Sequence, residues 1–384
     1  MFAIDSSALR TCLLLMPLAM ANISAAQSIT PAVTAWMRNT TGQTGYGGIT
    51  ANVTLVRHSA GFVYPSSAGI PSYTIGPWPG NPNTPVNQNW VFRITKTPTP
   101  AVTQTATPLG VIGVLVNGVP FFNALDAMSY NNLNIWHRNA MFWEANSFDS
   151  CKGHTAPAGV YHPHQFPPCV LATDALHHSP IIGYAFDGYP VYGPYGYANV
   201  DGTGGIARIR TGYRLRNITV RTTLPNGTAL PANQYGPAVN ATYPLGAFVE
   251  DYEFVAKIGD LDATNSRFAV TPDYPNGIRA YFATISASGA TEYPYLVGPK
   301  YFGMLVTGNT GPGGGHFVPT DSPVTFTGSV CPADINGDRL VDGADLAILL
   351  SAWAGAGGAS DLNRDGAVNG ADLALLLNAW GACG

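Results

Sequence analysis

Two segments near the C-terminus, Asp334 to Trp353 and Asp361 to Trp380, repeat one another at a fixed offset of 27 residues. Oxygen-bearing residues recur in register within them. The first copy places Asp334, Asn336, Asp338, the backbone carbonyl of Leu340, Asp342 and Asp345 at loop positions 1, 3, 5, 7, 9 and 12, and the second places Asp361, Asn363, Asp365, Ala367, Asn369 and Asp372 there. A tightly turning loop points alternate residues inward, and hard oxygen donors at that spacing are what Ca²⁺ requires. Two calcium ions are therefore expected, one per loop. Behind the loops, Leu346, Leu349, Leu350 and Trp353, and then Leu373, Leu376, Leu377 and Trp380, follow the i, i+3, i+4, i+7 spacing of one helix face. Each helix is expected to bury its stripe against the other.

From Cys331 to Gly384 this pair resembles a type I dockerin, the module by which surface assemblies collect secreted proteins onto cohesin domains. The resemblance implies a cohesin-like receptor as partner. Many dockerins place Ser-Thr at loop positions 10 and 11, where this chain has Gly343-Ala344 and Gly370-Ala371. These four residues are the partner-binding candidates, and their departure from Ser-Thr points away from a standard cohesin. Both copies carry the same Gly-Ala, which keeps the two-fold likeness that lets dockerins dock in either of two orientations. The ends of a dockerin-like fold lie side by side, so a Cys331–Cys383 disulfide would clasp a module too short to be secure on apolar burial alone. Acidity is concentrated here too. The segment from Cys331 carries seven Asp and two Arg in a chain whose net charge is −4, as a site for two divalent cations would require.

At the other end, Arg10, the apolar run from Cys12 through Met20 and then Ser24-Ala25-Ala26 read as a secretory signal with cleavage near Gln27. The expected division is a signal over residues 1–26, a main domain over 27–329 and the calcium-binding module over 330–384. No run approaches the roughly 20 apolar residues of a membrane helix, so the mature chain is expected to be secreted, or held at a surface, with no transmembrane segment. Removing Cys12 leaves four of the five cysteines, an even number that in an oxidising compartment favours two disulfides, Cys151 with Cys169 and Cys331 with Cys383. Nothing is basic enough to imply nucleic acid as a partner.

Between these ends, short β-type runs (Ile49 to Arg57, Trp90 to Thr95, Val111 to Val116, Phe248 to Ile258, Ile278 to Ile285, Tyr301 to Val306) alternate with Gly/Pro/Asn clusters. No long helical period interrupts them. The fold class expected is mainly β, antiparallel, sandwich-like and loop-rich, followed by a small α-helical calcium module. The Thr/Pro-rich run Thr97 to Pro108 reads as an exposed loop. Trp36, Trp78, Trp90, Trp136 and Trp143 could form a sugar-stacking platform, although their scattered spacing favours packing.

Chemistry concentrates in one segment: His154, His162, His164, His177 and His178 all fall between Cys151 and Ser179, out of eight histidines in the chain. In Tyr161-His162-Pro163-His164 the imidazoles are two residues apart, and the proline biases His162 toward extended backbone. Both rings then project from one face of a strand. A copper or zinc site using His162, His164 and one or two of His154, His177 and His178, with Asp187 as a further ligand or acceptor, is expected because imidazole suits both metals. Asp187 could instead serve as a general base, or pair with Glu144 as two glycosidase carboxylates.

Here the sequence resembles the YHYH domain family, named for a Tyr-His-Tyr-His motif that stands as Tyr161-His162-Pro163-His164. Supporting stretches are Asn117-Gly118-Val119, Gly153-His154, His178-Ser179-Pro180 through Tyr184, Asp187-Gly188-Tyr189-Pro190 through Gly193, and Thr271-Pro272-Asp273-Tyr274-Pro275-Asn276-Gly277. Pro163 replaces the second motif tyrosine and removes whatever that phenol would contribute. The combined expectation is an exported protein with a histidine metal site, tethered by its calcium module in an extracellular or surface assembly. The alternative is a metal-dependent oxidoreductase or hydrolase acting on polysaccharide.

Overall fold

A computed structural model describes residues 29–384 apart from 172, 328–331, 334, 336–339, 356, 357, 364, 383 and 384. Along the chain, a one-turn helix α1 (Pro31–Thr34) precedes strands β1 (Val53–His58), β2 (Phe62–Ser67), β3 (Trp90–Val91) and β4 (Ile94–Thr95). Then come β5 (Val111–Leu115), β6 (Pro120–Phe122), β7 (Leu125–Ser129), β8 (His137–Asn139) and the short helix α2 (Ala140–Trp143). The histidine-rich segment supplies β9 (Gly153–Ala156) and β10 (Val160–Pro163), followed by β11 (Ile181–Ala185) and β12 (Pro190–Tyr192). Short pairs β13 (Tyr195–Tyr197) with β14 (Ile206–Arg208) and β15 (Tyr213–Leu215) with β16 (Tyr252–Phe254) lead to β17 (Ser266–Ala269), β18 (Ile278–Phe282) and β19 (Val324–Thr325).

Two sheets share one core. The first runs β19-β1-β2-β3, with β4 also on β2, and the second runs β17-β18-β12-β11-β5-β6. Val53, Val56, Val63, Trp90 and Ile94 from the first pack in one cluster with Ile112, Val114, Tyr184, Val191 and Tyr281 from the second. Every residue of β11 and β12 is buried, so these strands are covered on both faces. Pairing in the second sheet is antiparallel except between β12 and β18, which run parallel.

The middle of that sheet is one hairpin used twice at an offset of 70 residues, Ile112-Gly113, Asn117-Gly118 and Pro120 answering Ile182-Gly183, Asp187-Gly188 and Pro190. Strands β5 and β6 pair Val111↔Phe122, Gly113↔Phe121 and Val114↔Pro120, while β11 and β12 pair Ile181↔Tyr192, Gly183↔Val191 and Tyr184↔Pro190, with the bulge at the same step. Both turns close with the N–H of a glycine, Gly118 on Leu115 O (2.8 Å) or Gly188 on Ala185 O (2.9 Å). At φ +80° and +88° these positions suit glycine, as a type I turn followed by a bulge requires. The side chain before it repeats as well: Asn117 Oδ1 accepts from Val119 N and Asp187 Oδ1 from Tyr189 N. The copies join antiparallel, Val114 opposite Tyr184, about a pseudo-two-fold axis.

Several expected runs end differently. Phe248 to Ile258 yields only β16, because Val249–Asp251 forms a turn of 3₁₀ helix. Tyr301 to Val306 forms no strand; it and the preceding Lys300 meet the Thr97 to Pro108 run through isolated bridges Pro100↔Gly303 and Ala106↔Lys300. That run is thus partly paired rather than a free loop. Trp36, Trp90 and Trp136 are buried, Trp78 is half-buried against the core, and Trp143 packs on Tyr243 and Phe248, so these five tryptophans form no exposed platform.

In the C-terminal part, β20 (Leu340–Val341) pairs with β21 (Gly381–Ala382), bringing the ends of the module together. Helices α3 (Gly343–Ser351) and α4 (Gly370–Asn378) start at equivalent capping boxes. Asp342 and Asn369 accept the Ala344 and Ala371 N–H groups, and Asp345 and Asp372 reach back to the cap N–H. Val341, Leu349, Val368 and Leu376 form the small core, with Leu346 and Leu373 half-buried beside it. The apolar stripes are buried only in part: Leu350, Trp353, Leu377 and Trp380 are 50, 44, 52 and 49% exposed. The helices are nine residues long, so each tryptophan lies beyond its helix end and cannot continue the buried face. The expected Cys331–Cys383 clasp, the residues Asp334, Asn336 and Asp338 of the first loop, and the expected signal lie outside the described residues.

Candidate metal centre

The site is built on the β9–β10 hairpin. Its register sets His162 directly opposite His154, so the two rings share a face, and alternation adds His164 to the same face. Cys151 and Cys169 form a disulfide across the base of this excursion. Asp149 braces it from below. Its buried carboxylate accepts the N–H groups of Cys151 (3.0 Å) and Gly153 (3.1 Å) on Oδ1, and those of Gly76 (2.9 Å) and the Trp78 indole (3.2 Å) with the Tyr161 hydroxyl (3.0 Å) on Oδ2.

Three buried imidazoles converge here. Nε2 of His162 lies 3.1 Å from Nε2 of His154 and 3.1 Å from Nε2 of His164. The partners of the other ring nitrogens fix what those atoms carry. Nδ1 of His162 faces Val160 O at 3.0 Å and Nδ1 of His164 faces Asn123 O at 2.5 Å; a carbonyl only accepts, so both Nδ1 atoms bear the proton. His154 Nδ1 meets Ser147 Oγ at 2.7 Å, and that hydroxyl already gives its hydrogen to Glu144 O. Hence the ring donates here too. All three Nε2 atoms are left with lone pairs, those of His154 and His164 each meeting that of His162, a contact no hydrogen bond between the rings can relieve.

Charge does not relieve it either. Burial holds His154 down to about 3 and His164 to about 4, and holds His162 well below the usual imidazole range; neighbouring His164 lowers the other two further. Neutral imidazoles with their Nδ1–H groups tied back are the form in which histidine binds a metal. A metal–nitrogen bond of about 2.0–2.1 Å in a tetrahedron sets neighbouring donors about 3.3 Å apart, close to the two distances from His162, and all three donors lie within 4.8 Å of one another. Phe122 stacks on His162 with ring centroids 3.6 Å apart and Phe148 lies 4.6 Å from His154, walling the donors with apolar surface.

One residue at this centre carried no motif. Glu144, just past α2, brings Oε2 to 3.3 Å from His164 Nε2 and 3.8 Å from His154 Nε2. Burial, with Asp126 nearby, pushes its carboxyl up to about 7. Its place is set by α2: Asn139 caps that helix and ties to Gly246 O, Tyr295 and Ala247 O, while the Trp143 indole donates to Ala247 O.

Other candidates lie elsewhere. The chain runs on from the disulfide into β11, which takes His177 to an exposed pairing with Asp174 (2.8 Å) and His178 to the rings of Tyr192 and Tyr197. Asp187 is fully buried in the β11–β12 turn, where its carboxylate accepts the Tyr281 hydroxyl (2.5 Å) and Gly303 N (2.8 Å). It is a turn anchor there, apart from the metal centre and from Glu144. Among the described residues, His154, His162 and His164 form the cluster able to hold a metal ion.

The second calcium loop is described almost whole. Asp365 N donates to both Asp361 Oδ1 (3.1 Å) and Asn363 Oδ1 (2.9 Å), Gly366 N donates to Asp361 Oδ2, and the buried Asp372 carboxylate takes Leu362 N and Asn369 N. The chain therefore coils around hard oxygens from Asp361, Asn363, Asp365, Asn369 and Asp372, a donor set that fits Ca²⁺. In the first loop Asp345 takes Ile335 N and Asp342 N in the same way.

Fold and sites thus define a chain in two parts: a β domain that gathers imidazoles on a disulfide-bracketed hairpin, and a duplicated loop–helix module. The chain belongs to the YHYH protein family, whose model matches residues 91–293. A further match, over residues 332–380, is to the dockerin type I domain, a class that binds calcium and docks on cohesins. No curated protein and no solved structure matches the chain.

Proposed function

We propose that the YHYH domain holds one transition-metal ion, zinc or copper, on His154, His162 and His164, and that the dockerin module, loaded with two calcium ions, tethers it to a cohesin-like receptor outside the cell. The observation that carries the metal reading is the meeting of three Nε2 lone pairs whose tautomers are fixed by carbonyl and hydroxyl partners. A cation turns that mutual repulsion into coordination. The extracellular setting draws support from the Cys151–Cys169 disulfide, and no helix among the described residues is long and apolar enough to cross a membrane. The proposed division is a signal over residues 1–26, the YHYH domain within 27–329 and the dockerin module within 330–384. Receptor contact is assigned to the exposed Gly343, Ala344, Gly370 and Ala371 at the helix starts, beside the exposed Leu350, Trp353, Leu377 and Trp380.

Elemental analysis of the mature protein, purified without chelator, tests this directly. Near one transition metal per chain is expected, lost in a His162→Ala/His164→Ala variant that keeps its calcium. Calcium alone in both proteins would overturn the metal assignment.

A further inference from the structure

The three histidines are held from behind, yet the carboxylate that completes their ring is not. Glu144 Oε2 is buried and accepts no hydrogen bond from any described residue, an arrangement that costs free energy for a carboxylate unless a cation faces it. The side chain is 28% exposed, against 5% for His154 and 3% for His164. Glu144 is thus where the centre meets solvent.

The backbone of the same residue is fixed. Glu144 N donates to Ala140 O, and Glu144 O accepts both Ser147 N and the Ser147 hydroxyl, which in turn sets the tautomer of His154. A rigid backbone therefore carries a side chain whose inner oxygen has no hydrogen-bond partner, while each imidazole is tied back through its Nδ1. Resting on the metal reading above, we propose that Glu144 is the fourth donor of the site and its exchangeable one, so that small anions or oxygen ligands reach the metal by displacing this carboxylate. The centre then alternates between a closed form with three nitrogens and one oxygen and an open form with a free position on the solvent side. An accessible position of that kind separates reactive metal sites from structural ones.

The test uses the full mature chain, apo protein reloaded with Co²⁺, as wild type, Glu144→Gln and Glu144→Ala, with the visible ligand-field bands recorded during titration with azide. Retained cobalt in all three, changed bands in both variants and at least a ten-fold lower azide Kd than wild type are expected. If wild type binds no cobalt, the metal reading fails and this inference with it. If wild type binds cobalt and the variants match it in bands and azide affinity, the role of Glu144 alone is overturned. Loss of cobalt from variants with unchanged near-UV circular dichroism would make Glu144 a permanent ligand and overturn its exchange.

Discussion

Asp149 is the residue on which the histidine hairpin stands, and its replacement by asparagine changes one atom. The carboxylate accepts five hydrogen bonds, two on Oδ1 and three on Oδ2. An amide has only one accepting oxygen. Turned one way it leaves the N–H groups of Gly76 and Trp78 and the Tyr161 hydroxyl facing an NH₂ group; turned the other way it does this to the N–H groups of Cys151 and Gly153. At least two buried donors lose their acceptor in either case, at about 1–3 kcal/mol each, so Asp149→Asn should destabilise the domain by about 4 kcal/mol. Against a total stability of about 5–15 kcal/mol that is severe. Urea unfolding of the oxidised full chain, followed by tryptophan fluorescence, measures the loss, with Asp174→Asn as control. Asp174 is 55% exposed and pairs with His177 at the surface, so the control should change stability by less than about 0.5 kcal/mol. Bound metal should fall with Asp149→Asn, because Cys151 and Gly153 lead straight into β9. A variant within about 1 kcal/mol of wild type, with its metal retained, would refute the bracing role.

Further expectations concern charge and calcium. Arg221 and Asp251 form a fully buried pair, Nε to Oδ1 at 2.7 Å and Nη2 to Oδ2 at 2.8 Å, so Arg221→Met should cost about 3–5 kcal/mol in thermal or urea unfolding by stranding the carboxylate; a smaller loss than from an exposed arginine such as Arg214 would contradict this. Burial holds His178 down to about 4 against an ordinary 6.5. The unfolded chain then binds more protons between those values, and stability present above pH 6.5 drains away toward pH 4, on the order of 2–3 kcal/mol for this group. Wild type and His178→Gln should diverge across that window, and parallel stability curves would exclude the effect. Removing calcium with chelator should abolish the helical signal of the dockerin module and leave the β domain folded. Replacing Asp334 and Asp361 together by alanine should prevent its recovery; a helical signal that survives chelation would refute calcium-dependent folding.

The dockerin module was legible because its donors lie within twelve-residue loops and its helix caps sit at fixed distances from them. The histidine centre was half legible. Pattern placed His162 and His164 on one face, and the disulfide-bracketed segment marked His154 as near. It could not exclude His177 and His178, because the path from Cys169 into β11 is set by packing rather than by local signals. Glu144 was legible only as a carboxylate to pair with Asp187, and nothing local set it beside the histidines, since a loop anchored by Asn139 and Trp143 on residues a hundred positions away brings it to the site. The doubled hairpin escaped for a different reason. Ile112 and Ile182, Gly113 and Gly183, Asn117 and Asp187, Gly118 and Gly188, and Pro120 and Pro190 correspond, but unlike pairs such as Leu115 with Ala185 and Val119 with Tyr189 interrupt so short a match, and the matching hydrogen bonds make the repeat plain.

Strand β6 is the last strand of the second sheet, and its hairpin twin β12 is covered in the ladder by β18. What lies against β6 instead is β10, through the Phe122–His162 stack and the bond from His164 to Asn123 O. A sheet edge left bare invites another chain to add a strand. Whatever loosens the histidine hairpin, by taking its metal or opening its disulfide, therefore uncovers the place where this domain can stick to a copy of itself, so loss of the centre should register as aggregation before it registers as unfolding.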